Sequence, residues 1–319
     1  MCSLIIVCSL VSCEGDDGNH GGDLIPSQLV INKENFTPED IFVYFNKVYV
    51  SGLGDGTIQE FDLLDKEPTA TEIVTTDPER PSRWGLAVDK KRKELLNIAN
   101  VAYAFDGNVS APAKVYSYSL YNNRETSSWT LPEGTVGNSI VVSNGFYYIS
   151  DIGPNTRIIR LDPETGETVI KTDELLPSNG FGFGNLIVAN GGLYGAVNNA
   201  MWFIALNDDG SFGEVSQVTG LENVFSDGMT YAGNSTFFYA ENDALNPEDV
   251  GKVFRVSLDS TTSGSAVLED DVENNGNLDN PSGLFFKEIL NKDYLFVNES
   301  QLFNQDAAAP FVINIFEIK

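Results

Sequence analysis

Histidine is almost missing from this chain of 319 residues: the one copy is His20. That scarcity excludes a Ser-His-Asp triad, a Cys-His dyad and a His-ligated zinc or copper centre from everything that follows. Cysteine is nearly as scarce. The three copies are Cys2, Cys8 and Cys13, so no disulfide framework can form in the body of the protein. Basic residues are few as well, with 19 Lys+Arg against 46 Asp+Glu and a formal net charge of -27. No basic cluster of the kind a phosphate backbone needs is present, which excludes nucleic acid as a partner. A surface so acidic repels anionic lipid and favours cations. Amphipathic helical periodicity is lacking too. Chemistry in this chain must therefore rest on carboxylates, amides, hydroxyls, Lys, Arg or Tyr.

The longest apolar stretch near the N-terminus, Met1 to Val11, is too short to span a bilayer and reads as the apolar region of a secretory signal. Leu10-Val11-Ser12-Cys13 has the form of a bacterial lipobox, with Cys13 as the lipidated residue. Residues 1–28 then form a leader and an acidic, Gly-rich tether, and residues 29–319 one folded unit. No Lys or Arg precedes the apolar run, and a simple cleaved signal gives the same extracytoplasmic address. Four sequons (Asn35, Asn108, Asn234, Asn298) fit a glycosylated secreted protein. Either way the protein is expected outside the cytoplasm, touching a membrane only through an N-terminal anchor.

What the chain does have is a repeated phrase. A polar or acidic residue stands two places before an aliphatic or Met, followed by a short strand, a turn and a second strand. The copies begin at Pro38-Glu39-Asp40-Ile41, Arg83-Trp84-Gly85-Leu86, Gly137-Asn138-Ser139-Ile140, Gly184-Asn185-Leu186-Ile187, Ser226-Asp227-Gly228-Met229 and Pro281-Ser282-Gly283-Leu284. Their spacing of roughly 42 to 55 residues is the period of propeller blades rather than of helical repeats. Runs such as Val48-Tyr49-Val50 and Phe146-Tyr147-Tyr148-Ile149 beside Asn46-Lys47, Asn144-Gly145 and Asn190-Gly191 turns are hairpin signals. Third and weaker fourth strands follow in each copy. The sequence predicts an all-β, six-bladed β-propeller with four-stranded antiparallel blades, monomeric, in which Leu29-Val30-Ile31 closes the ring against the last strand.

In such a ring the residue before each innermost strand faces one mouth of the central channel. The second position of the phrase runs Glu39, Trp84, Asn138, Asn185, Asp227, Ser282. Two carboxylates and two amide oxygens from Glu39, Asn138, Asn185 and Asp227 would give a divalent cation a neutral all-oxygen cage, suited to Ca²⁺, with Mg²⁺ or Mn²⁺ as alternatives. Residues at the ends of second strands (Asn100, Asp151, Asn198, Glu241, Asn242, Asn298), with Ser282 and Trp84 as a wall, would line a pocket for a small polar molecule. Asn and Asp also cap tight turns, so the same residues have a purely local reading.

At these residues the chain resembles the calcium-dependent propellers of the gluconolactonase, senescence-marker-protein and luciferin-regenerating-enzyme group, and their relative diisopropyl fluorophosphatase. The resemblance covers roughly residues 36 to 318 and lies in Pro38-Glu39, Gly137-Asn138-Ser139-Ile140, Gly184-Asn185-Leu186-Ile187 and Ser226-Asp227-Gly228-Met229. It implies that Glu39, Asn138, Asn185 and Asp227 surround a catalytic calcium, with Asp227 as general base or nucleophile. The chain departs from the group in having no histidine near the channel, which argues against a second, His-lined calcium site and phosphotriesterase-like activity. The expectation is a metal-dependent hydrolase of a sugar lactone or related small ester. The competing expectation is a non-enzymatic binding propeller with a structural cation, docking a glycan or protein partner.

Overall fold

β-Branched and aromatic residues alternate with polar ones through most of the body, and strands form wherever they do. The computed structural model describes residues 25–101, 111–153, 156–177, 182–222, 224, 226–242, 251–273, 278–301 and 308–319. Cys13, the tether up to residue 24 and the sequon at Asn108 lie outside the described residues.

The first strand, β1 (Gln28–Ile31), is followed by a sheet of β2 (Pro38–Tyr44), β3 (Lys47–Gly52), β4 (Ile58–Asp62) and β5 (Thr71–Val74). A second sheet holds β6 (Ser82–Asp89), β7 (Glu94–Asn100), β8 (Lys114–Ser119) and β9 (Glu125–Thr130). A third holds β10 (Gly137–Ser143), β11 (Phe146–Asp151), β12 (Arg157–Leu161) and β13 (Thr168–Lys171). Next come β14 (Leu186–Ala189), β15 (Gly192–Val197), β16 (Ala200–Leu206), β17 (Phe212–Glu222), β18 (Met229–Gly233), β19 (Thr236–Glu241), β20 (Lys252–Ser260) and β21 (Ser263–Leu268). A short helix, α1 (Asp270–Glu273), leads to β22 (Pro281–Ile289), β23 (Lys292–Glu299) and β24 (Phe311–Ile318).

The expectation of separate four-stranded blades holds for four sheets and needs correction for the rest. Strands β14 to β21 make one eight-stranded sheet, ordered β14-β15-β16-β17-β21-β20-β19-β18. Its two halves are each antiparallel, and they join through a single parallel pair, Thr219 opposite Ser263, between the outer strands β17 and β21. The Thr219 N–H donates to the Thr262 carbonyl there at 2.9 Å.

The innermost strands pack in a cycle: β2 on β6, β6 on β10, β10 on β14, β14 on β18, β18 on β22, and β22 back on β2. The core is accordingly divided. One cluster (Tyr49, Ile58, Leu86, Leu95, Tyr116) lies between the first and second sheets. Another (Leu96, Ile98, Ile140, Tyr147, Ile149) lies between the second and third.

Closure falls to β1, whose boundary is Gln28 rather than Leu29. It pairs antiparallel with β24, Val30 opposite Val312, and so supplies the outermost strand of the last sheet. Leu29 and Ile31 point into a cluster with Phe36, Ile41, Phe61, Phe296 and Phe311 that joins the last sheet to the first. The first hairpin turns one residue earlier than expected, at Phe45-Asn46, where Phe45 takes a φ of 52° and is exposed. The Asn144-Gly145 and Asn190-Gly191 turns fall where the sequence places them, all four residues with positive φ.

Candidate functional site

The repeated phrase forms a β-bulge. The ladder pairs Pro38 with Gly52 and Ile41 with Val50, and the register slips between them, leaving Glu39 and Asp40 outside regular pairing. The same slip occurs between Arg83 and Leu86, Gly137 and Ile140, and Pro281 and Leu284. A bulge bends the strand and re-aims a side chain; it falls at these four phrases, whereas β14 and β18 begin only after Asn185 and Asp227. The ends of β3, β7, β11 and β23 pair back to these bulges, so all lie at one end of the ring, the mouth.

The third residue of the phrase seats the next blade. A Cβ on Gly85 would fall 2.5 Å from the Asn138 carbonyl oxygen, and one on Gly283 would fall 2.9 Å from that of Glu39. Only glycine permits so close a backbone approach. Asp40 and Ser139, at the same position, make a hydrogen bond instead: the Leu86 N–H donates to Asp40 Oδ2 at 2.7 Å, and the Leu186 N–H to Ser139 Oγ at 3.2 Å. Ser282 Oγ reaches the Glu39 carbonyl at 2.9 Å, tying the last sheet to the first.

Three carboxylates meet at the mouth. Glu39 is 8% exposed, and its Oε2 is buried with no hydrogen-bond partner. Burial drives its carboxyl well above the ordinary range, and the charges of Asp227 and Asp40 add to the rise. Burial also pushes Asp227 up to about 6, against the pull of Asn242, whose Nδ2 donates to Asp227 Oδ2 at 2.6 Å. Asp40 is pushed up to about 7 by burial, partly offset by N–H bonds from Leu86 and Ile41 and reinforced by Asp227. Among the described residues none of the three is in an ion pair. Asp40 is the residue that sequence reasoning passed over. Its signal was a second acid directly after Glu39 in the phrase.

Of the other expected ligands, Asn138 is buried, and its Nδ2 lies 3.9 Å from where a Cβ on Gly184 would stand. The same Cβ would lie 3.9 Å from the Asp227 carbonyl oxygen, so the Asn138 side chain and the Asp227 backbone both border Gly184. Asn185 is half-buried, and its Oδ1 accepts from Ser139 Oγ at 2.7 Å and from the Leu186 N–H at 3.0 Å. Among the described residues no three His, Cys, Asp or Glu side chains gather closely enough to hold a metal ion by themselves; Glu39 Oε2 has no partner there and Asp227 has Oδ2 engaged by Asn242, whereas the Asn185 oxygen is already engaged.

The expected pocket residues divide. Asn242 bonds the Asp227 carboxylate, Ser282 reaches only the backbone carbonyls of Pro38 and Glu39 and the Asn298 amide, and Glu241 is half-buried at the end of β19. Asn298 is wholly buried; its Oδ1 accepts from Ser282 Oγ at 3.0 Å and from the Gly283 N–H, while its Nδ2 has no partner among the described residues. That burial closes its sequon in the folded protein, whereas Asn35 and Asn234 are exposed. Asn100 bridges to the third sheet, donating to the Gly137 carbonyl at 2.7 Å and accepting from the Gly137 N–H. Asp151 accepts from the Val136 and Gly153 N–H groups and pairs with Arg157. Trp84 packs among Leu53, Ile98 and Ile140, donating from Nε1 to Ser82 Oγ at 2.8 Å. Asn198 sits in the exposed β15–β16 turn with a φ of 48°.

Antiparallel four-stranded sheets set around a cycle of inner strands define a β-propeller. No protein-family model matches the chain, and no curated protein matches it in sequence. Solved structures do share its fold. The major Malassezia sympodialis allergen Mala s 1 superposes with a TM-score of 0.68 at 15% identity, covering 92% of this chain and 96% of that one. U3-55K gives 0.58 at 8% identity, covering 92% and 98%. The PQQ-bound aldose sugar dehydrogenase from Streptomyces coelicolor gives 0.55 at 12%, covering 92% and 100%.

Proposed function

We propose that the chain is a six-bladed propeller whose mouth holds a divalent cation, calcium first, and hydrolyses a sugar lactone or related small ester. The blade count rests on dividing the eight-stranded sheet at its single parallel pair, which matches the cycle of inner strands. The observation that carries the cation is Glu39 Oε2, a buried carboxylate oxygen that among the described residues has neither a hydrogen-bond partner nor a basic counterion, in the field of Asp227 and Asp40. Such a charge is costly unless a proton or a cation neutralises it. Glu39, Asn138 and Asp227 would hold the cation, and the donor set is the hard-oxygen kind that suits calcium.

When bound, the cation supplies positive charge to polarise a lactone carbonyl. The residues of the chain do the rest. Asn242 fixes one oxygen of Asp227, leaving Oδ1 to take the proton of an attacking water. With its carboxyl near 6, Asp227 is mostly ionised at neutral pH and suited to act as that base. The test is a calcium titration by calorimetry of wild type, Glu39→Gln and Asp227→Asn, followed by lactone hydrolysis. Saturable binding lost in Glu39→Gln, with calcium-dependent turnover lost in Asp227→Asn, is expected. Binding without turnover would leave a docking propeller, and no binding would remove the site.

A further inference from the structure

We infer that Asn185 meets the ligand as a hydrogen-bond donor instead of holding the cation, with Ser139 as the positioning residue that keeps it so; this rests on the hydrolase reading above. The two ends of a side-chain amide are told apart only by a partner of fixed polarity. The Leu186 backbone N–H is such a partner, because it can only donate, and it lies 3.0 Å from Asn185 Oδ1. The same N–H also reaches Ser139 Oγ at 3.2 Å, so the Ser139 hydroxyl accepts there and turns its own hydrogen to Asn185 Oδ1 at 2.7 Å. Both lone pairs of the amide oxygen are thereby taken.

Ser139 is itself held firmly. Its N–H donates to Ser150 Oγ at 2.8 Å, and Ser150 Oγ donates to the Gly184 carbonyl at 2.7 Å. The third sheet therefore grips Gly184, Asn185 and Leu186 in succession, and the amide cannot rotate without breaking the set. A rotated amide would also bring its NH₂ against the Leu186 N–H, donor to donor. The edge that Asn185 leaves free among the described residues is its NH₂, which repels a cation and attracts an acceptor oxygen. At the mouth of a site that positions an ester, that acceptor is an oxygen of the ligand: a carbonyl, a carboxylate or a hydroxyl. The contrast with its neighbours is plain, since among the described residues Glu39 Oε2 has no partner and Asp227 has only Oδ2 engaged, by Asn242.

The experiment is calcium calorimetry together with glucono-1,5-lactone kinetics on wild type, Asn185→Ala and Asn185→Asp. Asn185→Ala is expected to keep calcium affinity within about twofold while KM for the lactone rises about tenfold, the loss of one good hydrogen bond. Should the alanine variant fold poorly, Asn185→Asp retains the acceptor for Ser139 and Leu186 and exchanges the donor for a charged carboxylate oxygen that repels an acceptor on the ligand. It is expected to raise KM without losing calcium. A tenfold loss of calcium affinity in Asn185→Ala, or an unchanged KM in Asn185→Asp, would overturn the assignment while leaving the hydrolase standing. Wild-type protein that binds no calcium or turns over no lactone would remove the hydrolase and this assignment together.

Discussion

Glu39 and its acidic neighbours make stability depend on pH in a definite direction. A carboxyl whose pKa is raised on folding holds its proton in the folded chain after the unfolded chain has released it. Stability from this source is therefore full below the ordinary carboxylate range and is lost as pH rises through the folded values, about 6 for Asp227 and about 7 for Asp40. Metal-free protein is expected to melt higher at about pH 5 than at about pH 8, and calcium to stabilise more at the higher pH. Glu39→Gln should raise the metal-free melting point at about pH 8 by roughly 1.5–3 °C, corresponding to about 1–2 kcal/mol for a chain of this size, and should abolish the calcium effect. Calorimetric scans at the two pH values check this; a lower melting point for the variant would show that the charge is compensated. At this scale the sequence marked Glu39 and Asp227, because a residue changing inside a constant phrase stands out. It did not mark Ser139 or Asp40, whose roles depend on a partner in the neighbouring blade.

Among the strands, β1 is the one whose contribution is most clearly separable. It has only four residues, yet it gives Leu29 and Ile31 to the cluster that joins the last sheet to the first, while Val30 points outward. Leu29→Ala is expected to cost about 2–4 kcal/mol and to lower the urea midpoint, and Val30→Ala to change it little. Equal effects would mean that the strand acts through its backbone pairing alone. The closing pair was legible because Leu29-Val30-Ile31 is a short apolar run standing ahead of the first phrase. The fusion of β17 with β21 was not. It consists of one pair between outer strands, Thr219 and Ser263, which no periodicity announces. The bulges were legible only as a phrase; their register slips belong to the pairing, not to the order of residues.

Across the whole molecule, charge matters most. A net of -27 produces self-repulsion that favours any expanded state. Ion pairs such as Lys33 with Asp55 and Glu72, or Lys47 with Glu60 and Asp62, use few of the acids. Raising NaCl from about 20 mM to about 500 mM should therefore increase the melting temperature, since screening shortens the range of repulsion from roughly 20 Å to under 5 Å. A fall would mean that the ion pairs outweigh the repulsion. The all-β architecture was written plainly in the alternating strands, whereas the even spread of stability around a ring is a property of the closed cycle.

The pairing of β1 with β24 has one more consequence. Because Gln28 lies opposite Asn314 and Ile31 opposite Phe311, the chain runs toward the mouth as it enters. Ile25, Pro26 and Ser27 consequently sit beside Tyr294, Ile315 and Glu317, at the far side from Glu39. Strand β24 ends on that side as well. Gripped at Ile25 or at the end of β24, the molecule would present its mouth on the side away from the grip.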